Sequence, residues 1–246
     1  MLIEPGLHLV ASGAMGFDLT DRYDAHVWLF AGSDCNLLFD AGGGRAVEAL
    51  LANGSADGLD WSRPTKLLLT HGHADHSGGA AELRERLSAT TYAGTMTAAW
   101  LEAGDDAAIS LPAAKAAGVY PEDYHWRPCP IDCPIADREV IELGGLSVQA
   151  VATPGHSADH VSWLVRRGAR TWLIGGDSLF HGGRIVLQHT YDCDVAAHAR
   201  SLRVLAELEF DALLPGHGAF SLHDAGRHAK AATGWLDRLL LPPQLA

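Results

Sequence analysis

The chain has little of what marks a membrane-spanning, nucleic-acid-binding or disulfide-built protein. No apolar run approaches the ~18 residues that a membrane-crossing helix needs. The start, Met1-Leu2-Ile3-Glu4-Pro5-Gly6, has no basic stretch leading into an apolar core, so the expectation is a protein without a secretory leader, placed in the cytoplasm. Basic residues are few: 18 Lys and Arg stand against 30 Asp and Glu, for a net charge of −12. With no basic cluster to neutralise phosphates, a nucleic-acid surface is excluded and a small-molecule substrate is expected. The four cysteines, Cys35, Cys129, Cys133 and Cys193, show neither zinc-ribbon nor redox spacing, and Cys129 and Cys133 read as ordinary loop thiols. Gly42-Gly43-Gly44 is not followed by Gly-Lys-Ser/Thr, so it reads as a turn and not a phosphate cradle. No linker or low-complexity tract divides the 246 residues, which read as one large domain of open oligomeric state.

Apolar residues make up 48% of the chain, enough for a sizeable core. Short apolar runs at 7–10, 25–30 and 35–40 predict antiparallel strands. A helix over 45–53 should stop at Asn53-Gly54. A strand at 66–70, a helix at 80–87 and a strand at 90–93 follow. Residues 95–126 then break the strand–helix rhythm with an Ala-rich, mostly helical stretch and the segment Tyr120-Pro121-Glu122-Asp123-Tyr124-His125-Trp126. They read as a helical insert, a lid or substrate wall over the site. Strands at 139–143 and 146–153 flank a Gly144-Gly145 turn, and 161–165 and 171–174 form a second hairpin. A helix over 195–208, a strand at Leu213-Leu214 and a helix over 222–240 complete an α/β chain.

The most informative stretch is His71-Gly72-His73-Ala74-Asp75-His76, between the apolar run 66–70 and a helix. Imidazoles and carboxylates are costly to bury unpaired at the tip of a buried strand, and a divalent cation removes that cost. Ligand-type residues recur after later strands: Pro154-Gly155-His156, Gly175-Gly176-Asp177 and Pro215-Gly216-His217. Glycine lets backbone turn tightly beside an ion, and proline stiffens the approach. Two sets follow. His71, His73 and His156 give the three-imidazole arrangement that leaves a catalytic zinc an open position. Asp75, His76 and His217 give the second, and Asp177 can bridge the two with its two oxygens.

In this pattern, and in Asp40 ahead of it, the chain resembles the metallo-β-lactamase superfamily, and within it the glyoxalase-II-like hydrolases. The resemblance spans essentially the whole chain. It implies an αββα sandwich with the site along one edge and two zinc ions, with iron or manganese as alternatives. Asp40 corresponds to the supporting carboxylate that orients a ligand loop. The implied reaction is hydrolysis of an activated acyl bond (thioester, lactone or similar ester) by a hydroxide shared between the metals, with Asp75 orienting it and taking its proton. Tyr191, His181 and His189, in the loop after Asp177, are candidate proton donors. The alternative on the same scaffold is a persulfide dioxygenase with one iron on His71, His73 and Asp177. Only a short tail follows His217, where glyoxalase II has a basic helical domain for glutathione, so glutathione-thioester specificity is not expected. Trp28, Trp100, Trp126, Tyr92 and Phe17 are candidates to line the pocket.

Overall fold

The computed structural model describes residues 1–245. Its first sheet begins with β1 (Leu2–Glu4), β2 (Leu7–Ala11), β3 (Val27–Ala31) and β4 (Asn36–Phe39), paired antiparallel in sequence order. Helix α1 (Val47–Ala56) carries the chain over to β5 (Thr65–Leu68), which joins β4 in parallel. A single turn, α2 (Ala74–Ser77), and α3 (Ala80–Leu87) lead to β6 (Thr90–Gly94), and α4 (Thr95–Ala103) and α5 (Leu111–Ala116) lead to β7 (Cys133–Ile135). Both β6 and β7 extend the sheet in parallel. The second sheet has the order β12-β11-β10-β9-β8, built from β8 (Val140–Leu143), β9 (Leu146–Ala152), β10 (Val161–Arg167), β11 (Arg170–Gly176) and β12 (Ala212–Pro215). Helix α6 (Val195–Ala206) connects β11 to its parallel neighbour β12, and α7 (Gly226–Leu236) ends the described fold.

The side-chain period of two in a strand sorts these residues into three apolar layers. Leu37 and Phe39 of β4 meet Trp163 and Val165 of β10 between the sheets, whereas Leu38 faces outward against Val47 and Leu50 of α1 and Leu83 of α3. On the other side Leu164 of β10 and Leu173 of β11 pack on Leu202 and Leu205 of α6 and Ala229 of α7. Helix, sheet, sheet, helix is therefore the order of the layers, the expected αββα sandwich. Each fully buried side chain of this size contributes ~1.5–3 kcal/mol. Tryptophan supplies bulk and also a donor: Trp163 Nε1 donates to the Leu69 carbonyl at 3.1 Å and Trp28 Nε1 to that of Pro215 at 3.0 Å, tying the sheets together beside the site.

Some boundaries differ from expectation for local reasons. Helix α1 runs through Asn53-Gly54 because Asn53 Nδ2 donates to the Val10 carbonyl and the Trp61 ring lies on Gly54, where a β-carbon would come within 2.2 Å of it. The last helix starts at Gly226 and not near 222, since Ser221 still pairs with Leu213 and Asp224 has φ 50°. It ends at Leu236, short of 240, and Leu239 beyond it has φ 59°. The Ala-rich stretch within 95–126 is helical in two short pieces, α4 and α5.

Candidate metal centre

Every ligand-type residue singled out from the sequence leaves a strand at the same edge of the sandwich. Asp40 follows β4, the hexad follows β5, and His156, Asp177 and His217 follow β9, β11 and β12. Because β4 and β5 are parallel, and β11 and β12 are parallel, their carboxyl ends open side by side. His71-Gly72-His73 is loop, while Asp75 and His76 lie on the single turn α2. Gly216 is required by proximity: a β-carbon there would stand 2.2 Å from Asp177 Oδ1 and 2.6 Å from His76 Cε1.

All seven proposed ligands converge. Ligand atoms of His71, His73 and His156 lie within 4.8 Å of one another, as do those of Asp75, His76 and His217, and those of His71, His76 and Asp177. Asp177 stands between the sets, Oδ1 3.4 Å from His76 Nε2 and Oδ2 3.6 Å from both His156 Nε2 and His217 Nε2. His71, His73 and Asp177, the set for a single iron, do not form such a cluster, because Asp177 groups with His71 and His76 instead.

The hydrogen bonds behind the imidazoles fix which nitrogen each turns inward. His76 Nδ1 donates to Asp40 Oδ2 at 2.8 Å. Asp40, at φ 63°, also accepts from the Thr70 amide and hydroxyl, and that hydroxyl accepts from His71 Nδ1 at 3.0 Å. His156 Nδ1 donates to the Val186 carbonyl at 3.0 Å, and His73 Nε2 donates to Asp192 Oδ2 at 3.0 Å. In the neutral ring each inner nitrogen thereby carries the lone pair. The consequence is a set of groups that nothing in the protein satisfies. His71 Nε2, His76 Nε2 and Asp177 Oδ1 are buried without a hydrogen-bond partner among the described residues, while His73 Nδ1 and His156 Nε2 share a hydrogen bond at 3.0 Å. Buried polar atoms left unpaired in this way are costly, and inward lone pairs plus carboxylates are the donor set that a divalent cation takes up. The residues fit a divalent metal site.

Without an ion the cluster is electrostatically frustrated. Burial and the neighbouring imidazoles hold His71 well below the usual histidine range, and burial sets His156 at about 4. Burial works the same way on His76, but Asp75, Asp177 and Asp40 overcome it and raise that ring well above its ordinary value. Burial would raise Asp75 and Asp177; the surrounding histidines instead hold both below the ordinary carboxylate value.

Several supporting residues went unread in the sequence. Asp192 is one: its Oδ1 accepts from the Ser110 hydroxyl at 2.6 Å, so one buried carboxylate joins the insert to His73. Tyr120 donates its hydroxyl to Asp75 Oδ1 at 2.9 Å and accepts from the Asp75 amide at 3.0 Å. Asp159 accepts from the Gly72 amide and the Thr97 hydroxyl, each at 2.9 Å, and His160 Nε2 accepts from the Asp177 amide at 3.0 Å. A signal for the last two existed, since Ala158-Asp159-His160 repeats the Ala74-Asp75-His76 spelling.

A cavity of about 730 Å³ opens above the cluster, with His73, Asp75, Asp177 and His217 on its floor. Ile109, Ser110, Ala113 and Tyr120 of the 95–126 stretch line it, as does His189. The other two candidate donors are elsewhere: the Tyr191 hydroxyl is bonded to the Ala108 carbonyl at 2.7 Å, and His181 lies on a short 3-10 turn against the His228 ring. None of the five aromatic candidates lines this space; Trp28, for one, belongs to the core between the sheets.

The chain is similar to known proteins. The atrochrysone carboxyl ACP thioesterase of Aspergillus fumigatus is 30% identical over 74% of this chain and 47% of its own length. A hydroxyacylglutathione hydrolase of Acidiphilium cryptum is 31% identical over 79% of this chain and 64% of its own. The chain thus spans about half to two thirds of the length of these relatives. Among solved structures, a Cronobacter sakazakii metallo-beta-lactamase with a HARLDQ motif superposes with a TM-score of 0.73 at 19% identity, over 97% of this chain and 96% of that one. The MIM-2 metallo-beta-lactamase gives a TM-score of 0.67 at 27% identity, over 90% and 84%. Residues 20–217 match the sequence profile of the Metallo-beta-lactamase superfamily, and with that fold beneath them the chain belongs to that superfamily.

Proposed function

We propose that the chain is a dinuclear, zinc-dependent hydrolase of activated acyl bonds, with iron or manganese as alternative metals. The observation that carries this reading is the convergence of seven ligand-type side chains, with unsatisfied inner atoms, on the floor of a substrate-sized cavity. One relative named as a thioesterase and one named as a hydroxyacylglutathione hydrolase support it.

Divalent ions, when bound, supply Lewis acidity toward a carbonyl oxygen and draw the pKa of water toward neutrality. His71, His73 and His156 would hold one; Asp75, His76 and His217 would hold the other; Asp177 would touch both. The protein's own part is orientation and proton handling. Tyr120 pins Asp75 Oδ1, leaving Oδ2, 3.1 Å from His217 Nε2, as the oxygen that aligns the attacking water and takes its proton. Burial and then Asp75 keep the Tyr120 phenol well above its ordinary pKa, so it stays a neutral donor throughout. His189, which lines the cavity, would return a proton to the leaving group.

The intact second set, Asp75, His76 and His217, favours hydrolysis over one-iron persulfide oxidation. The test is the metal-loaded protein against a panel of thioesters and lactones, with oxygen uptake followed in parallel. Hydrolysis at least a hundredfold above the metal-free protein is expected; oxygen consumption with a persulfide and no hydrolysis overturns the reading.

A further inference from the structure

The two sides of the cavity differ in chemistry. On one side Ala113, Ala116 and Ala117 follow one another at helical spacing on and just after α5, extended by Ile109 and Val119. This apolar wall reaches the metal loop itself, since a β-carbon on Gly72 would come within 2.6 Å of Ile109 Cγ2. Leu111 anchors the helix in the core, and Lys115 turns away to donate to the Glu122 carbonyl at 3.1 Å. The facing loop offers Gln188 and Thr190, polar but uncharged. Among the described residues, no lysine or arginine lines the cavity. Alanines at the positions nearest the open space leave a smooth slot that costs no side-chain entropy to fill.

We infer that this slot selects an unbranched, uncharged hydrocarbon acyl chain, laid along the α5 alanines with its carbonyl over His73 and Asp75, while the polar face of Gln188 and Thr190 receives the leaving group. The inference rests on the acyl-hydrolase reading and narrows its substrate class. A terminal carboxylate on the acyl chain would meet no cation along that wall and would lose its hydration there. The volume, about 730 Å³, lies within the ~300–1,000 Å³ range of sites that enclose a small organic ligand.

Two measurements test it. The first is kcat/KM of the zinc-loaded protein for thioesters of one thiol, from acetyl to decanoyl, with succinyl set against butyryl. Each added methylene should raise kcat/KM about fourfold until the slot is full, and succinyl should fall at least tenfold below butyryl. In Ala117→Trp, on the exposed end of the wall, the octanoyl-to-acetyl ratio should collapse to within about twofold of one. The second is calorimetric binding of non-hydrolysable alkyl thioethers of the same lengths to the metal-free protein, where affinity should rise with length. Flat chain-length profiles, a preference for succinyl, or an unchanged ratio in Ala117→Trp overturn the inference. Thioethers that bind more tightly with length while no thioester is cleaved would leave the hydrocarbon slot standing and remove the hydrolase reading on which its role as an acyl site rests.

Discussion

Replacing Asp40 by Asn isolates what one buried carboxylate does for the metal ligands. Asn tolerates the left-handed φ of 63°, so the backbone need not move. The amide oxygen can keep the Thr70 amide and hydroxyl, held by Asp40 Oδ1 at 2.8 and 3.0 Å. The amide nitrogen then faces His76 Nδ1, where Oδ2 accepted at 2.8 Å. Two donors cannot share that contact, so His76 shifts its proton to Nε2 and loses the lone pair it would give a metal. Loss of such a partner typically lowers metal affinity ~10–100-fold, or ~1.4–2.7 kcal/mol. The loss should fall mainly on the Asp75, His76 and His217 set, and zinc titration against a chromogenic chelator, with a thermal melt of the metal-free protein beside it, measures it. A folded Asp40→Asn variant that binds both equivalents within twofold of wild type refutes this reasoning.

Three further outcomes follow from the same geometry. Gly216→Ala puts a methyl on Asp177 Oδ1, so the variant should fold but lose at least one metal equivalent, as read by elemental analysis; two retained equivalents contradict the close approach. Asp192→Ala removes the acceptor of His73 Nε2 and should weaken the three-histidine site ~10–100-fold in the same chelator titration, whereas unaltered affinity denies Asp192 that role. Away from the site, His228 accepts from the Gly182 amide at Nδ1 and pairs with the Ser221 hydroxyl at Nε2; burial, then His181, lowers it to about 4. Its folded value is thus below the ~6.5 of an unfolded chain, which takes up the proton first, so its stabilisation holds above that pH and is lost as pH falls toward 4. Urea midpoints of the metal-free His228→Gln variant should vary less over that interval than wild type, and parallel curves count against the assignment.

The sequence disclosed what local chemistry encodes. The hexad and the Pro-Gly-His tripeptides stand out because ligand residues after apolar runs have no packing explanation, and the family resemblance implied a site along one edge. Asp40 was legible through family resemblance alone. Asp192 was not, because its meaning lies in a contact with His73 across 119 residues, made only when the 186–194 loop folds back. Tyr120 likewise stood out as an aromatic in an insert, and nothing local showed that its hydroxyl would meet Asp75. Tyr191 and His181 show the converse: suitable chemistry at a suitable position in the chain, turned by their loop toward Ala108 and His228. The overrun of α1 through Asn53-Gly54 has the same origin, a tertiary partner, Trp61, that outweighs a local stop signal.

Metal content after equilibrium dialysis is the most direct test of the central claim. Wild-type protein dialysed against micromolar zinc and analysed by mass spectrometry should hold close to two zinc ions per chain, falling to one in the Asp75→Ala, His217→Ala double variant. A wild-type content near zero, or a single ion unaffected by that double substitution, would contradict the two-site account.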